Sequence, residues 1–356
     1  MKRLILIIST IFIVSIYQNA FSQGCVAIKG TAGICSRPGD AKGWELNLNN
    51  RYFKSYKHFV GTIEQKQRVE EGSEVINHSY ELDITATRTL NSRWSLAMTV
   101  PIMDFSRSSL YEHDGKTRHS THSFGIGDAR FSAYRWMFNP KTSHNGNLQI
   151  GAGIKLPTGN SNYLDYFYKK ADSSVLGPVD QSIQPGDGGT GITFELNGFY
   201  NFSHMVGVYG NFFYLSNPRE VNGTSTTRGG TASASAKKYN TDVMSVPDLF
   251  MTRGGVAVMV DQFTFSGGIR MECLPSKDLI GGSRGFRRPG YIISAEPSIT
   301  YVAKKVSFNL AVPIALQRNR TQSDSDKRRT ADTGVHQQGD AAFADYLIGA
   351  GITVRL

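Results

Sequence analysis

The chain has 356 residues, among them 37 glycines, 16 tyrosines and 20 phenylalanines, a composition that leans towards β structure. It is long enough for two soluble domains or one large barrel. Its formal net charge of +10 suits anionic surroundings, yet no nucleic-acid motif accompanies it; lipopolysaccharide or an anionic solute is the expected partner, and nucleic acid is not.

In chain order the first element is "MKRLILIISTIFIVSIYQNAFSQ", where Lys2 and Arg3 precede an apolar run from Leu4 to Tyr17 and the small residues Ala20 and Ser22. This pattern predicts a signal peptide over 1–22, cleaved after Ser22, and an exported protein. Cys25 lacks the preceding large aliphatic residue of a lipidation site. Residues 23–42 are too glycine-rich for a wall strand. They are expected to form a periplasmic segment or a small plug, with Cys25 and Cys35 closing a disulfide in an oxidising compartment, or else an inert N-terminal cap. Cys273 is left over on an apolar strand face. Beyond the leader, no apolar run approaches the roughly 18 to 20 residues of a spanning helix.

From residue 43 onwards a period of two recurs. Residues 94–102 place Trp94, Leu96, Met98, Val100 and Ile102 on one face, and 148–156 place Leu148, Ile150, Ala152, Ile154 and Leu156 there. Similar faces run through 263–273 and 306–316. Strands are predicted at about 43–57, 74–90, 93–106, 122–138, 147–158, 189–202, 204–216, 249–261, 263–274, 289–302, 305–318 and 341–356. Connections then alternate between short turns and long polar loops near 58–73, 107–121, 159–188, 217–248, 275–288 and 319–340. Such sorting predicts a transmembrane antiparallel up-and-down β-barrel of about twelve strands over 43–356, with short periplasmic turns and long extracellular loops. A soluble sandwich or propeller would also alternate, but has no reason to sort its connections.

Two further patterns bear on the barrel. Trp44, Trp94 and Trp136 fall at the short-turn end with Tyr200, Phe202, Phe263 and Tyr301, whereas Tyr52, Tyr56, Tyr80, Phe105, Phe213, Phe250 and Tyr291 lie towards the other rim, as two interfacial girdles would. The chain ends on "FADYLIGAGITVRL", a strand expected to pair with the first and leave no bare edge in lipid. That segment is similar to the terminal signal read by the barrel-assembly machinery, although it ends on Leu356 and not on an aromatic residue.

The stretch "GIGDARFSAYRW…NLQIGAGIKLPTGNSN" carries Gly125, Gly127 and Asp128, then Leu156, Pro157, Thr158 and Gly159. These residues resemble the outer-membrane family of the MetA pathway of phenol degradation, within the wider set of barrel transporters that includes the fatty-acid-channel type. The resemblance implies a transport-type barrel, for hydrophobic or aromatic compounds. Read physically, pairing around "NPKTSHNG" brings the two motifs together at the outer rim, where they form either a structural corner or a site that touches cargo.

Charged residues on inward faces are the candidate lumen and transport groups: Glu81, Asp83, Asp128, Glu195, Glu272 and Glu296 against Arg51, Arg130, Lys155, Arg253 and Arg270. In a narrow lumen they must pair or meet water, so they either brace the wall or line a polar path. His119, His122, Asp114 and Glu112 share one polar loop without a nucleophile–base–orienter arrangement, and "HSTH" lacks further metal ligands, so no enzyme, cofactor or metal is expected. The leading reading is an outer-membrane channel for a small molecule. The alternatives are a structural or surface-recognition barrel that binds lipopolysaccharide, and third a surface hydrolase.

Overall fold

The computed structural model describes residues 43–170 and 172–356. The signal peptide, the segment 23–42 and the Cys25–Cys35 pairing lie outside the described residues.

Alternating sequence becomes a closed wall of twelve antiparallel strands. They are β1 (Gly43–Val60), β2 (Ile76–Thr89), β3 (Trp94–Ser109), β4 in two pieces (His119–Ile126 and Arg130–Trp136), β5 (Gly146–Lys155), β6 (Gly191–Asn201), β7 (Val206–Ser216), β8 (Leu249–Val260), β9 (Phe263–Leu274), β10 (Gly290–Val302), β11 in two pieces (Val306–Ala311 and Ile314–Arg320) and β12 (Ala341–Arg355). Each strand pairs with its sequence neighbour, and β12 returns to β1 from Glu45↔Arg355 to Phe59↔Ala341. Closure satisfies the backbone of both edges, which lipid could not do.

The period of two sorts polarity across this wall. In β3 Trp94, Leu96 and Met98 are exposed while Ala97 and Thr99 are buried; in β2 Asn77, Ser79, Glu81, Asp83, Thr85 and Thr87 are buried while Tyr80 is exposed. The outside is apolar and the inside polar, the reverse of a soluble barrel. Among the described residues no helix is long and apolar enough to cross a membrane.

The short connections are 90–93, 137–145, 202–205, 261–262 and 303–305, and the long loops L1 to L6 are 61–75, 110–118, 156–190, 217–248, 275–289 and 321–340. The C-terminal end of the barrel sits on the short-turn side beside the start of β1, where the Leu356 amide donates to the Trp44 carbonyl at 2.9 Å. An aromatic girdle marks that side: Arg88 and Arg135 lie over the exposed Trp44 and Trp94 rings at 5.4 and 5.5 Å, and Phe263 meets Tyr301 at 5.0 Å. At the opposite rim Tyr52 stands across from Tyr80, and Tyr214 stacks on Phe250 at 6.3 Å.

Three expected girdle residues are corrected. Trp136, Phe105 and Phe213 are buried inside, because height along a strand places a residue near an interface but parity decides its face, and Trp136 shares the inward parity of Tyr134.

Two predicted continuous strands are broken. At residues 127–129 β4 leaves its ladder, so its upper piece bonds to β3 whereas its lower piece bonds to β3 and β5. At Val312 and Pro313 β11 breaks, since Pro313 has no N–H to give, and its upper piece meets β12 at Ile314↔Tyr346. Above that point Arg318 closes the seam, donating to the Ala344 carbonyl at 3.0 Å and to Asp345 at 2.5 Å.

The long loops are more structured than polar composition suggested. They hold α1 (Gln67–Glu70), α2 (Ala234–Lys238) and α3 (Asp324–Thr333), and L3 carries a hairpin of Leu164–Lys170 with Ser173–Pro178. The signal for α3 was present in the sequence: Ser323 and Asp326 form a capping box, and Gly334 ends the helix at φ 70°.

Candidate transport cavity

L3 folds over the barrel mouth because it has apolar residues to bury. Val179 and Ile183 are fully buried against Phe105, with Met103 and Tyr163 packed beside them. Beneath this lid lies a cavity of about 560 Å³ whose apolar lining includes Met103, Leu215, Met244, Leu249, Met251 and Phe343. Three groups of paired charges surround it.

The first group ties the lid. Arg288 donates to both carboxylate oxygens of Asp180 at 2.8 Å, with Arg107 and Arg228 at 3.6 and 3.7 Å; the same two arginines hold Glu112 at 2.8 Å. Burial pushes the Asp180 carboxyl up, but Arg107, Arg288 and Arg228 outweigh it and hold the group well below the usual carboxylate range. Arg287 grips Asp278 at 2.6 Å in a fully buried pair that anchors L5.

The second group is the corner formed by the two sequence motifs. Asp128 accepts the Gly159 amide at 3.0 Å, the Asp187 amide at 3.1 Å and Lys155 Nζ at 3.3 Å; Lys155 also reaches Asp187. Thr158 Oγ1 donates to the Gly127 carbonyl and accepts from the Ala129 amide, both at 2.8 Å, while the Leu156 amide donates to the Ala129 carbonyl. These contacts stitch the break in β4 to the end of β5, beyond which Pro157 stops the ladder. A Cβ at Gly127 would come within 2.7 Å of Met103 Cε, and one at Gly159 within 2.8 Å of Gly186 Cα, so both glycines permit close crossing; Gly125 has open space.

The third group is the cavity floor. Arg51 bonds Glu81 at 3.2 Å and reaches across the barrel to Glu272 at 3.5 Å; Arg270 bonds Glu272 at 2.9 Å and Glu296 at 3.3 Å; Arg253 bonds Glu296 at 2.5 Å. The chain continues from Arg253 through Asn211 and Asn197 to Gln149 at 2.9, 3.1 and 3.3 Å. Beside it Arg130 faces Asp83 at 3.8 Å and Tyr134 donates to Glu195 at 2.9 Å.

All eleven predicted lumen residues therefore point inward, and six of them, Arg51, Glu81, Arg253, Arg270, Glu272 and Glu296, meet in one lattice. Sequence reasoning missed the lid cluster. Arg107 shares the inward parity of Thr99 and could have been found, but Asp180, Arg228 and Arg288 lie in loops where no period applies. It also missed His58, whose Nε2 accepts the Val75 amide at 2.9 Å, so that Nδ1–H donates to Asp340 at 2.9 Å. Burial raises the Asp340 carboxyl, but His58 and Arg68 prevail and bring it to about 2. The four residues considered for catalysis have other engagements: Glu112 is held by arginines, Asp114 caps the Lys116 and Thr117 amides, His119 stacks on Tyr168 at 4.5 Å and His122 is exposed.

A closed wall with an apolar outside, a charged inside and loops sorted by side defines a transmembrane β-barrel of the outer-membrane type. Among solved structures, an outer-membrane channel from Pseudomonas putida F1 is similar to this chain with a TM-score of 0.58 and 10% identity, covering 90% of this chain and 98% of that one. The translocator domain of the autotransporter NalP from Neisseria meningitidis follows at TM-score 0.47 and 11% identity, over 90% of this chain and 91% of that one. The toluene transporter TbuX of Ralstonia pickettii aligns at TM-score 0.42 and 8% identity, over 89% and 90%. No family model and no curated protein matches the sequence, so the resemblance at "GIGD" and "LPTG" stands on those residues. At 10% identity the likeness to the P. putida channel bears on the fold alone.

Proposed function

We propose that this protein is an outer-membrane channel for a small, largely apolar molecule, which enters under the loops and is held in the cavity before it passes the wall or the floor. The observation that carries this reading is the cavity itself: about 560 Å³ with a largely apolar lining, roofed by L3 and bordered by paired charges. The motif resemblance and the P. putida channel support it. Paired charges at the floor would orient a polar substituent, and exchange of ion-pair partners would let a solute through without leaving a bare charge.

A second reading is favoured by one specific observation. The floor lattice is dense enough to brace the wall, with Arg253 and Glu296 both about 1% exposed, which suits a structural or surface-recognition barrel. Proteoliposome flux separates the two. The channel reading expects uptake of a neutral aromatic compound over a sugar of similar size, slowed at least several-fold by Leu215→Trp, which fills the cavity. Folded protein with no flux of either solute would refute it.

A further inference from the structure

The L3 hairpin runs beside the edge of β4 that carries no wall strand. The His122 amide donates to Asp165 Oδ2 at 2.7 Å and joins hairpin to wall. One hairpin face turns inward, where Phe167 is fully buried against the His113 ring at 5.5 Å, and His113 Nδ1 accepts the Tyr168 amide at 3.1 Å. The other face is bare: Leu164 is 43%, Tyr166 54% and Leu176 49% exposed, adjoining Phe124 at 65% and Ile126 at 54% on β4. A contiguous apolar patch of this kind marks an interaction surface.

What covers it follows from where it starts. Tyr52, Tyr80, Asp104 and Phe124 lie in one register row across β1 to β4, so the patch adjoins the outer aromatic girdle, with the exposed Asp104 as the one charged residue in that row. Tyrosine and leucine at that level suit a membrane interface, and Lys170 stands near the hairpin tip, whereas Lys169 turns inward and donates to the Glu112 carbonyl at 2.8 Å. We propose that the hairpin is a docking panel for the outer leaflet, and that its partner is the phosphorylated, acylated glycolipid of that leaflet. The same loop carries Val179 and Ile183 over the cavity, so lipid contact would also hold the lid in place.

The test places a photo-crosslinking amino acid at Tyr166, Leu176, Phe124 or, as a control in L6, Val335, which is 62% exposed. In intact cells the first three positions should yield glycolipid adducts and Val335 should not. Adducts at Phe124 but not at Tyr166 or Leu176, equal adducts at Val335, or protein adducts at the hairpin positions would each overturn the proposal. Independently, Tyr166→Ser with Leu176→Ser should speed amide exchange of residues 164–178 about tenfold in vesicles containing the glycolipid, and little in vesicles without it. The same change in both vesicle types would also overturn it. Neither readout depends on whether the barrel conducts.

Discussion

Glu296 lies between two buried arginines, and its replacement by glutamine separates a bracing lattice from a decorative one. The carboxylate accepts Arg253 at 2.5 Å and Arg270 at 3.3 Å, and its side chain is about 1% exposed. Glu296→Gln keeps the shape but removes the charge that Arg253 and Arg270 share at a buried position. Losing one partner of a buried pair costs roughly 3 to 5 kcal/mol, a hundredfold to several-thousandfold change in the unfolding equilibrium. Glu272→Gln is the matched control. Glu272 is 30% exposed, Arg51 retains Glu81 and Arg270 retains Glu296, so its loss should cost about 1 kcal/mol or less. Urea titration in lipid vesicles, followed by tryptophan fluorescence and heat-modifiable migration, measures both. If Glu272→Gln destabilised the barrel as much as Glu296→Gln, burial and pairing would not be setting the energetics of this lattice.

Planar-bilayer reversal potentials of the folded protein should move towards cations in Arg270→Ala and towards anions in Glu272→Ala; Arg270→Ala, which truncates a buried partner of Glu296, should also lower folded yield, whereas Glu272→Ala should not, and unchanged selectivity in both would remove the pair from any ion path. Ile269 is 51% exposed on the lipid face, so Ile269→Arg should cost about 2 to 4 kcal/mol and lower assembled yield, as seen on heat-modifiability gels. Epitope tags at Gly223 or Val335 should be reached on intact cells and one at Asn91 should not; labelling at Asn91 would invert the topology. Ser325, an obvious tag site from its polar neighbours, is buried at the start of α3 and should tolerate insertion poorly. Asp340 clasps L6 to L1 with its carboxyl near 2, against an ordinary 3.8, so its contribution should be complete above about pH 4 and lost as pH falls through 2. Protection factors of L1 amides, corrected for the intrinsic pH dependence of exchange, should fall over that window, and should fall less in Asp340→Asn.

The wall was legible because membrane and lumen impose opposite demands on alternate residues. Leu96 and Thr99 differ in face for a reason that holds at every wall strand, and closure of β12 on β1 follows from the cost of an unpaired edge. The breaks were less legible. Pro313 announced one of them, but the interruption of β4 is held by bonds to the start of L3, Thr158 to Gly127 and Gly159 to Asp128, which no strand period foretells.

The charged interior was legible as a set of residues and not as a set of bonds. Parity alone sends Arg51, Arg270 and Glu272 inward; which of them touch depends on strand tilt and on a lumen narrow enough for Arg51 to reach Glu272, 221 positions away and on a non-neighbouring strand. The lid is a different case, since Asp180, Arg228 and Arg288 come from three loops with no period to align them. Their meeting is selected by energy: an apolar L3 segment that buries Val179 and Ile183 also carries Asp180 inward, and a buried carboxylate persists there because arginines from L4 and L5 converge on it. The lid of the cavity is thus held by the same rule as its floor, and loosening it requires a competitor for Asp180 or for the arginines that hold it.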